Sequence, residues 1–139
     1  MRKNIFVTGL PGCGKTTLIE KIASGIEVPV AGFITREIRE RGKKVGFSID
    51  TFGGPKGILA YVGEEGPLWV GKYAVRIETL ENLAIPSLSA GSPDILVVID
   101  EIGKMECLSP AFRRAVLDVL DSVNPVLGCA SSLRRLAQS

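Results

Sequence analysis

The sequence predicts an α/β domain, a mostly parallel central sheet flanked by helices with an inserted antiparallel hairpin region. Three stretches carry that expectation. Residues 4–25 run from an apolar strand through a glycine-rich turn into a helix with Leu18, Ile19, Ile22, Ala23 and Ile26 at helical spacing. Residues 43–51 alternate Val45, Phe47, Ile49 and Thr51 with Lys44, Gly46, Ser48 and Asp50, the period of a strand with one buried face. The run Ile95-Leu96-Val97-Val98-Ile99 is apolar throughout, as a strand buried on both faces of a parallel sheet must be.

The first stretch contains the chemistry. Gly9, Gly14, Lys15 and Thr16 match the spacing G-x-x-x-x-G-K-[ST] of a phosphate-binding loop. A polyphosphate needs several donors converging on one anion. Main-chain N–H groups can converge only where side chains do not block them, which explains the glycines. The start of the following helix adds unpaired N–H groups and a positive dipole end. Lys15 supplies a charge for the β- and γ-phosphates, and the Thr16 hydroxyl suits a Mg²⁺ ion. The expected nucleotide-binding set is Gly9, Leu10, Pro11, Gly12, Cys13, Gly14, Lys15, Thr16 and Thr17.

The chain has 139 residues, 45% of them hydrophobic, which suits one domain with one core. A net charge of +2 argues for neither nucleic acid nor a membrane surface as partner. No apolar run approaches the roughly 20 residues of a membrane span. The short apolar segment after Met1-Arg2-Lys3 feeds straight into the phosphate loop, not a cleavage site, so a cytoplasmic protein without a leader is expected. With no histidine in the chain, any general base must be a carboxylate or a lysine. The 3 cysteines, Cys13, Cys107 and Cys129, are too scattered for a zinc site or a disulfide framework. Cys13 reads as a small filler of the loop, with a redox switch as the alternative. The scarcity of Asn and Gln fits a thermophilic source.

Further along, Val28-Pro29-Val30 breaks the helix, and residues 32–40 and 43–51 form a hairpin around Arg41-Gly42. Arg36, Glu37, Arg39, Glu40, Arg41, Lys43 and Lys44 make its tip a solvated edge of mixed sign; a basic contact with a partner or with nucleotide phosphates is the alternative. Residues 52–71 read as turns with a short strand over 58–62. Trp69 and Tyr73 are expected to fill the apolar face of the hairpin rather than stack on a base. A helix from Thr79 ends or kinks at Pro86. The strand over 94–101 ends in Asp100 and Glu101, and ligands of open α/β sheets sit beyond the carboxyl ends of the strands. Asp100 is thus placed for Mg²⁺ opposite Thr16, and Glu101 for polarising a water; a solvated pair of acids is the alternative. Ser109-Pro110 caps an amphipathic helix through Val123, which Asn124-Pro125 ends. Residues 126–130 could add one more strand, and Leu133 and Leu136 a helical turn.

The loop Thr8 to Thr17 and the string Asp100-Glu101-Ile102-Gly103-Lys104-Met105-Glu106 together resemble the small P-loop nucleoside-triphosphatase family of the thermophile and cancer-related types. Gly32-Phe33-Ile34-Thr35, Val45-Gly46-Phe47, Val70-Gly71-Lys72-Tyr73 and Leu83-Ala84-Ile85-Pro86 resemble its hairpin and middle region. The resemblance implies a RecA-like fold and Mg²⁺-dependent release of the terminal phosphate of ATP, GTP and other nucleoside triphosphates, with loose base selectivity. It implies Asp100 and Thr16 as metal ligands, Glu101 as base beside Lys15, and the phosphate loop from Gly9 through Thr17. Lys104 is a further candidate, either an intramolecular charge on the γ-phosphate or a surface lysine. A monomer is expected. A small-molecule kinase using Arg36, Arg39 and Arg41 as an acceptor lid, and a non-catalytic nucleotide-binding protein, are the competing readings. After Val126-Leu127-Gly128 the family pattern continues with a helix, a strand and a terminal helix. Ala130 to Arg135 depart from it, so the C-terminal part is expected to be incomplete and to expose apolar surface.

Overall fold

The computed structural model describes residues 4–7 and 14–130. The expected turn at Leu133 and Leu136 lies outside them, as do Gly9, Leu10, Pro11, Gly12 and Cys13 of the phosphate loop.

One eight-stranded sheet runs through the described residues in the order β1-β8-β7-β2-β3-β4-β6-β5. Its parallel half comprises β1 (Asn4–Val7), β8 (Val126–Ala130), β7 (Leu96–Ile102) and the start of β2 (Val30–Glu40). Its other half is antiparallel: β2 with β3 (Lys43–Thr51), then β4 (Lys56–Val62), β6 (Tyr73–Val75) and β5 (Trp69–Val70). The sheet is therefore mixed rather than mostly parallel. The hairpin region does not stand apart as an insertion. β2 is long enough to pair with β7 over Val30 to Phe33 and then with β3 over Phe33 to Glu40, so one strand joins both halves.

Gly32 makes that junction close. Its φ is 100°, and a Cβ built there would lie 1.9 Å from the carbonyl oxygen of Val98. Only glycine lets β2 approach β7 at this point.

Strand alternation divides the core between two faces. Phe33, Ile49, Leu59, Val97 and Ile99 pack on one side with Leu80, Phe112 and Val116. Ile34, Val98, Leu127 and Cys129 pack on the other with Ile19 and Ala23 of α1 (Lys15–Gly25). On the first side α4 (Pro110–Leu120) begins as its sequence demands. Ser109 Oγ accepts the Phe112 N–H at 3.0 Å and Pro110 occupies the first turn. The ring of Phe112 then meets Phe33 edge-on, with centroids 5.9 Å apart.

Beside α4 lies a helical segment of α2 (Ile77–Thr79), a π turn (Leu80–Ala84) and α3 (Ile85–Ser87). Pro86 sits in the first turn of α3, where its missing N–H is tolerated, and the π turn precedes it. The chain thus passes Pro86 and leaves the helical conformation only after Ser87. Tyr73 packs edge-on against Phe47 at 5.2 Å, as expected of a filler of the hairpin face. Trp69 does not: it is exposed, and its indole N–H donates to the Gly66 carbonyl. β1 forms an edge of the sheet, where Ile5 is exposed, as are Leu18 and Ile22 of α1.

Candidate active site

A cleft of about 540 Å³ opens where the first turn of α1 faces the carboxyl end of β7, with β2 and β3 as its third wall. Gly14 precedes α1 at φ 87°, the left-handed region that glycine adopts without strain. That conformation turns the chain into the helix so that Lys15, Thr16 and Thr17 line the cleft. Asp100, Glu101, Thr35, Arg36, Phe47 and Cys129 line it from the sheet.

Two adjacent residues of a regular strand point to opposite faces, yet Asp100 and Glu101 both reach this cleft. The β7–β8 ladder explains it. Asp100 pairs with Cys129 and Ile102 with Ala130, so the register slips across Glu101. Such a bulge bends the strand and re-aims a side chain. Thr35 steadies the bend from the other neighbour, donating its hydroxyl to the Asp100 carbonyl oxygen at 2.7 Å.

Lys15 is buried, 8% exposed, with Nζ 3.5 Å from Glu101 Oε2. Asp100 is 1% exposed, and neither of its carboxylate oxygens has a hydrogen-bond partner among the described residues. Burial pushes its pKa up to about 6, with the neighbouring Glu101 charge adding to the rise. The Thr16 hydroxyl, the Cys129 thiol and the Thr35 amide favour the charged form without making a hydrogen bond of normal geometry. A buried, unpaired carboxylate is costly, and the arrangement is one that a cation would relieve. Cys129 lies with Sγ 4.0 Å from Glu101 Oε2. Burial first, then the charges of Asp100 and Glu101, pushes its thiol up to about 12, so it is an inert wall of the cleft.

Arg36 is exposed, as expected of the hairpin edge, but it is tied to two other elements. Its Nη1 and Nη2 donate to the two oxygens of Glu20 on α1, both at 2.9 Å, and its Nε donates to Asp50 at 2.9 Å. Farther out the mixed-sign edge is as expected, with Glu37 paired to both Arg39 and Lys44. Lys104 is exposed, on the turn after β7, and does not line the cleft.

Sequence reasoning did not single out Thr35, Glu20 or Cys129 for the site. Strand pairing brings Thr35 and Cys129 beside Asp100, and no local motif marks such neighbours. Glu20 could have been found, since it lies four residues beyond Thr16 on α1, and residues i and i+4 of a helix share a face.

The family model described as NTPase matches residues 4–137. The chain is 47% identical over 128 residues to nucleoside-triphosphatase THEP1 of Methanocaldococcus jannaschii, covering 88% of this chain and 75% of that protein. It is 41% identical over 140 residues to the human cancer-related nucleoside-triphosphatase, covering 91% and 74%. Among solved structures, the crystal structure of THEP1 from Aquifex aeolicus superposes with a TM-score of 0.83 at 35% identity, covering 97% of this chain and 81% of that one. The solution structure of the human cancer-related nucleoside triphosphatase superposes with a TM-score of 0.76 at 41% identity, covering 93% and 76%. With both its sequence and its fold so matched, the chain belongs to this NTPase family.

Proposed function

We propose that this protein, a nucleoside triphosphate hydrolase by family, cleaves the bond between the β- and γ-phosphates of ATP, GTP and other nucleoside triphosphates in the cleft between α1 and β7. The reading rests on one observation: Lys15 Nζ stands 3.5 Å from Glu101 Oε2 at the start of α1, beside the buried, unpartnered carboxylate of Asp100. A cation for the phosphates, a metal ligand and a group to orient water are the parts that phosphoryl transfer to water requires.

The residues fit a magnesium ion. Asp100 and Thr16 would hold it; among the described residues no group of three or more Cys, Asp or Glu side chains forms a metal cage. Mg²⁺ takes few protein ligands, completing its shell with phosphate oxygens and water. Bound there, it would supply charge neutralisation of the β- and γ-phosphates.

The protein groups do the rest. The first turn of α1 donates its unpaired N–H groups to the phosphates, and Lys15 adds its charge. The triphosphate competes for Lys15 and so frees Glu101 from its pair. Glu101 then accepts a hydrogen bond from the attacking water and takes its proton as the oxygen–phosphorus bond forms. The bond from the γ-phosphorus to the bridging oxygen breaks, and the nucleoside diphosphate leaves. Gly9 through Cys13 would complete the phosphate cradle, whereas Lys104, exposed and outside the cleft lining, is read as a surface lysine.

β8 stands between the strand that feeds the loop and the strand that carries the acids, which supports assigning the fold to the RecA-like type. We take a monomer as the active unit and a cytoplasmic nucleotide pool as its source of substrate. Among the described residues no helix is long and apolar enough to cross a membrane. A kinase reading would need arginines available to an acceptor, and here Arg36 is paired with Glu20 and Asp50, and Arg39 with Glu37.

Phosphate release from ATP, GTP, CTP and UTP, with and without Mg²⁺, tests the proposal. Release from all four in Mg²⁺ and little in chelator is expected. Labelled γ-phosphate appearing on an added nucleoside, with little free phosphate, would replace it with a kinase. Tight binding with no release would replace it with a binding protein.

A further inference from the structure

Glu106 is a buried acid with no part in the chemistry above. It is 4% exposed, at the start of the 3₁₀ turn Glu106–Leu108 that follows β7. Nothing about the core requires a carboxyl there, and burying one is costly. Its Oε1 accepts the N–H of Gly103 at 3.0 Å, in a bond closed off from water. The Gly103 carbonyl in turn accepts the N–H of Cys107 at 3.0 Å. Gly103 is thus held at both its polar groups, and it lies two residues after Glu101, where the strand leaves its register with β8.

We propose that Glu106 is a positioning residue for hydrolysis: through the Gly103 N–H it fixes the turn at the end of β7, and so holds Glu101 at the angle from which it faces the cleft. The inference rests on the reading of Glu101 as the group that orients water. The surroundings of Glu106 suit the role. Burial pushes its pKa up to about 8; its own amide and that of Gly103 favour the charged form, while the facing charges of Glu101 and Asp100 oppose it. A neutral carboxyl near Glu101 can accept the Gly103 bond without placing a third negative charge beside the two acids of the site. Glutamine has the same shape and the same accepting oxygen. Methionine has a similar shape and no comparable acceptor.

The test is steady-state hydrolysis and nucleotide affinity for three variants of Glu106, and for Glu101→Gln, beside the wild type. Glu106→Met should lower kcat about tenfold or more with KM and nucleotide affinity within about twofold, because a small misplacement of a reacting group costs rate rather than binding. Glu106→Gln should recover most of that loss. If Glu106→Met does not fold, Glu106→Asp, whose shorter arm withdraws the acceptor from Gly103, should show the same fall in kcat alone. An unchanged kcat in Glu106→Met would overturn the proposal. So would affinity falling in step with kcat, which marks general loosening, or a Glu106→Gln variant as slow as Glu106→Met. Glu101→Gln separates the two readings. If it is slow while Glu106→Met is not, only the role of Glu106 fails; if it turns over like the wild type, the role of Glu101 fails, and this one with it.

Discussion

Lys15 and Glu101 form a partly buried ion pair, which on the proposed function a bound triphosphate would reorganise. Lys15→Ala removes the one buried cation lining the described cleft. It should weaken triphosphate binding at least about tenfold, since a charge-assisted bond to phosphate contributes roughly 1.5–3 kcal/mol. Titration with a non-hydrolysed triphosphate analogue checks this, and equal affinity would contradict the assignment of the loop. Glu106 carries a separate consequence for stability. Its folded-state pKa of about 8 exceeds the ordinary 4.5. The folded state therefore binds the proton more tightly than the unfolded one. That contribution is present below about pH 4.5 and is lost as pH rises toward 8. In metal-free protein, Glu106→Gln should flatten the fall of melting temperature over that interval. Parallel wild-type and variant curves would mean that Glu106 is charged throughout.

At the scale of elements, the junction of β2 with β7 positions the third wall of the cleft. Gly32→Ala would set a Cβ 1.9 Å from the Val98 carbonyl oxygen, against the main chain of β7. The strands must part or the residue must leave its left-handed conformation, at a cost of about 2 kcal/mol or more. Denaturant unfolding should show that loss, and the surviving folded protein should turn over more slowly because Thr35 and Asp100 are displaced together. Ser109→Ala offers a contrast. It removes the cap of α4, costing about 1 kcal/mol, and leaves kcat unchanged because α4 is on the opposite face from α1.

These two sites also mark what was legible in the sequence. The cap of α4, the buried run of β7, the hairpin around Arg41-Gly42 and the adjacent acids were readable because each is a local pattern of periodicity or turn chemistry. The continuity of the sheet across Gly32 was not. Which strands become neighbours is decided by long-range packing, and the mixed topology follows from β2 having one parallel and one antiparallel partner. The same reason hid Thr35 and Cys129. The bulge that turns Glu101 into the cleft was hidden too, because it exists only relative to β8. The partners of the exposed Arg36 were hidden as well, because Glu20 and Asp50 approach it from separate elements.

On the scale of the whole molecule, two elements distant in sequence, the head of α1 and the tip of β7, meet across β8 on one side of a continuous sheet. The central claim is that this meeting makes hydrolysis: α1 binds the phosphates and Glu101 directs water at them. The most direct measurement is phosphate release by Glu101→Gln in Mg²⁺, at nucleotide concentrations that saturate both it and the wild type. With binding intact, turnover should fall by a factor on the order of 100 or more, the usual contribution of a positioned general base. A variant that binds as before and releases phosphate at the wild-type rate would contradict the account.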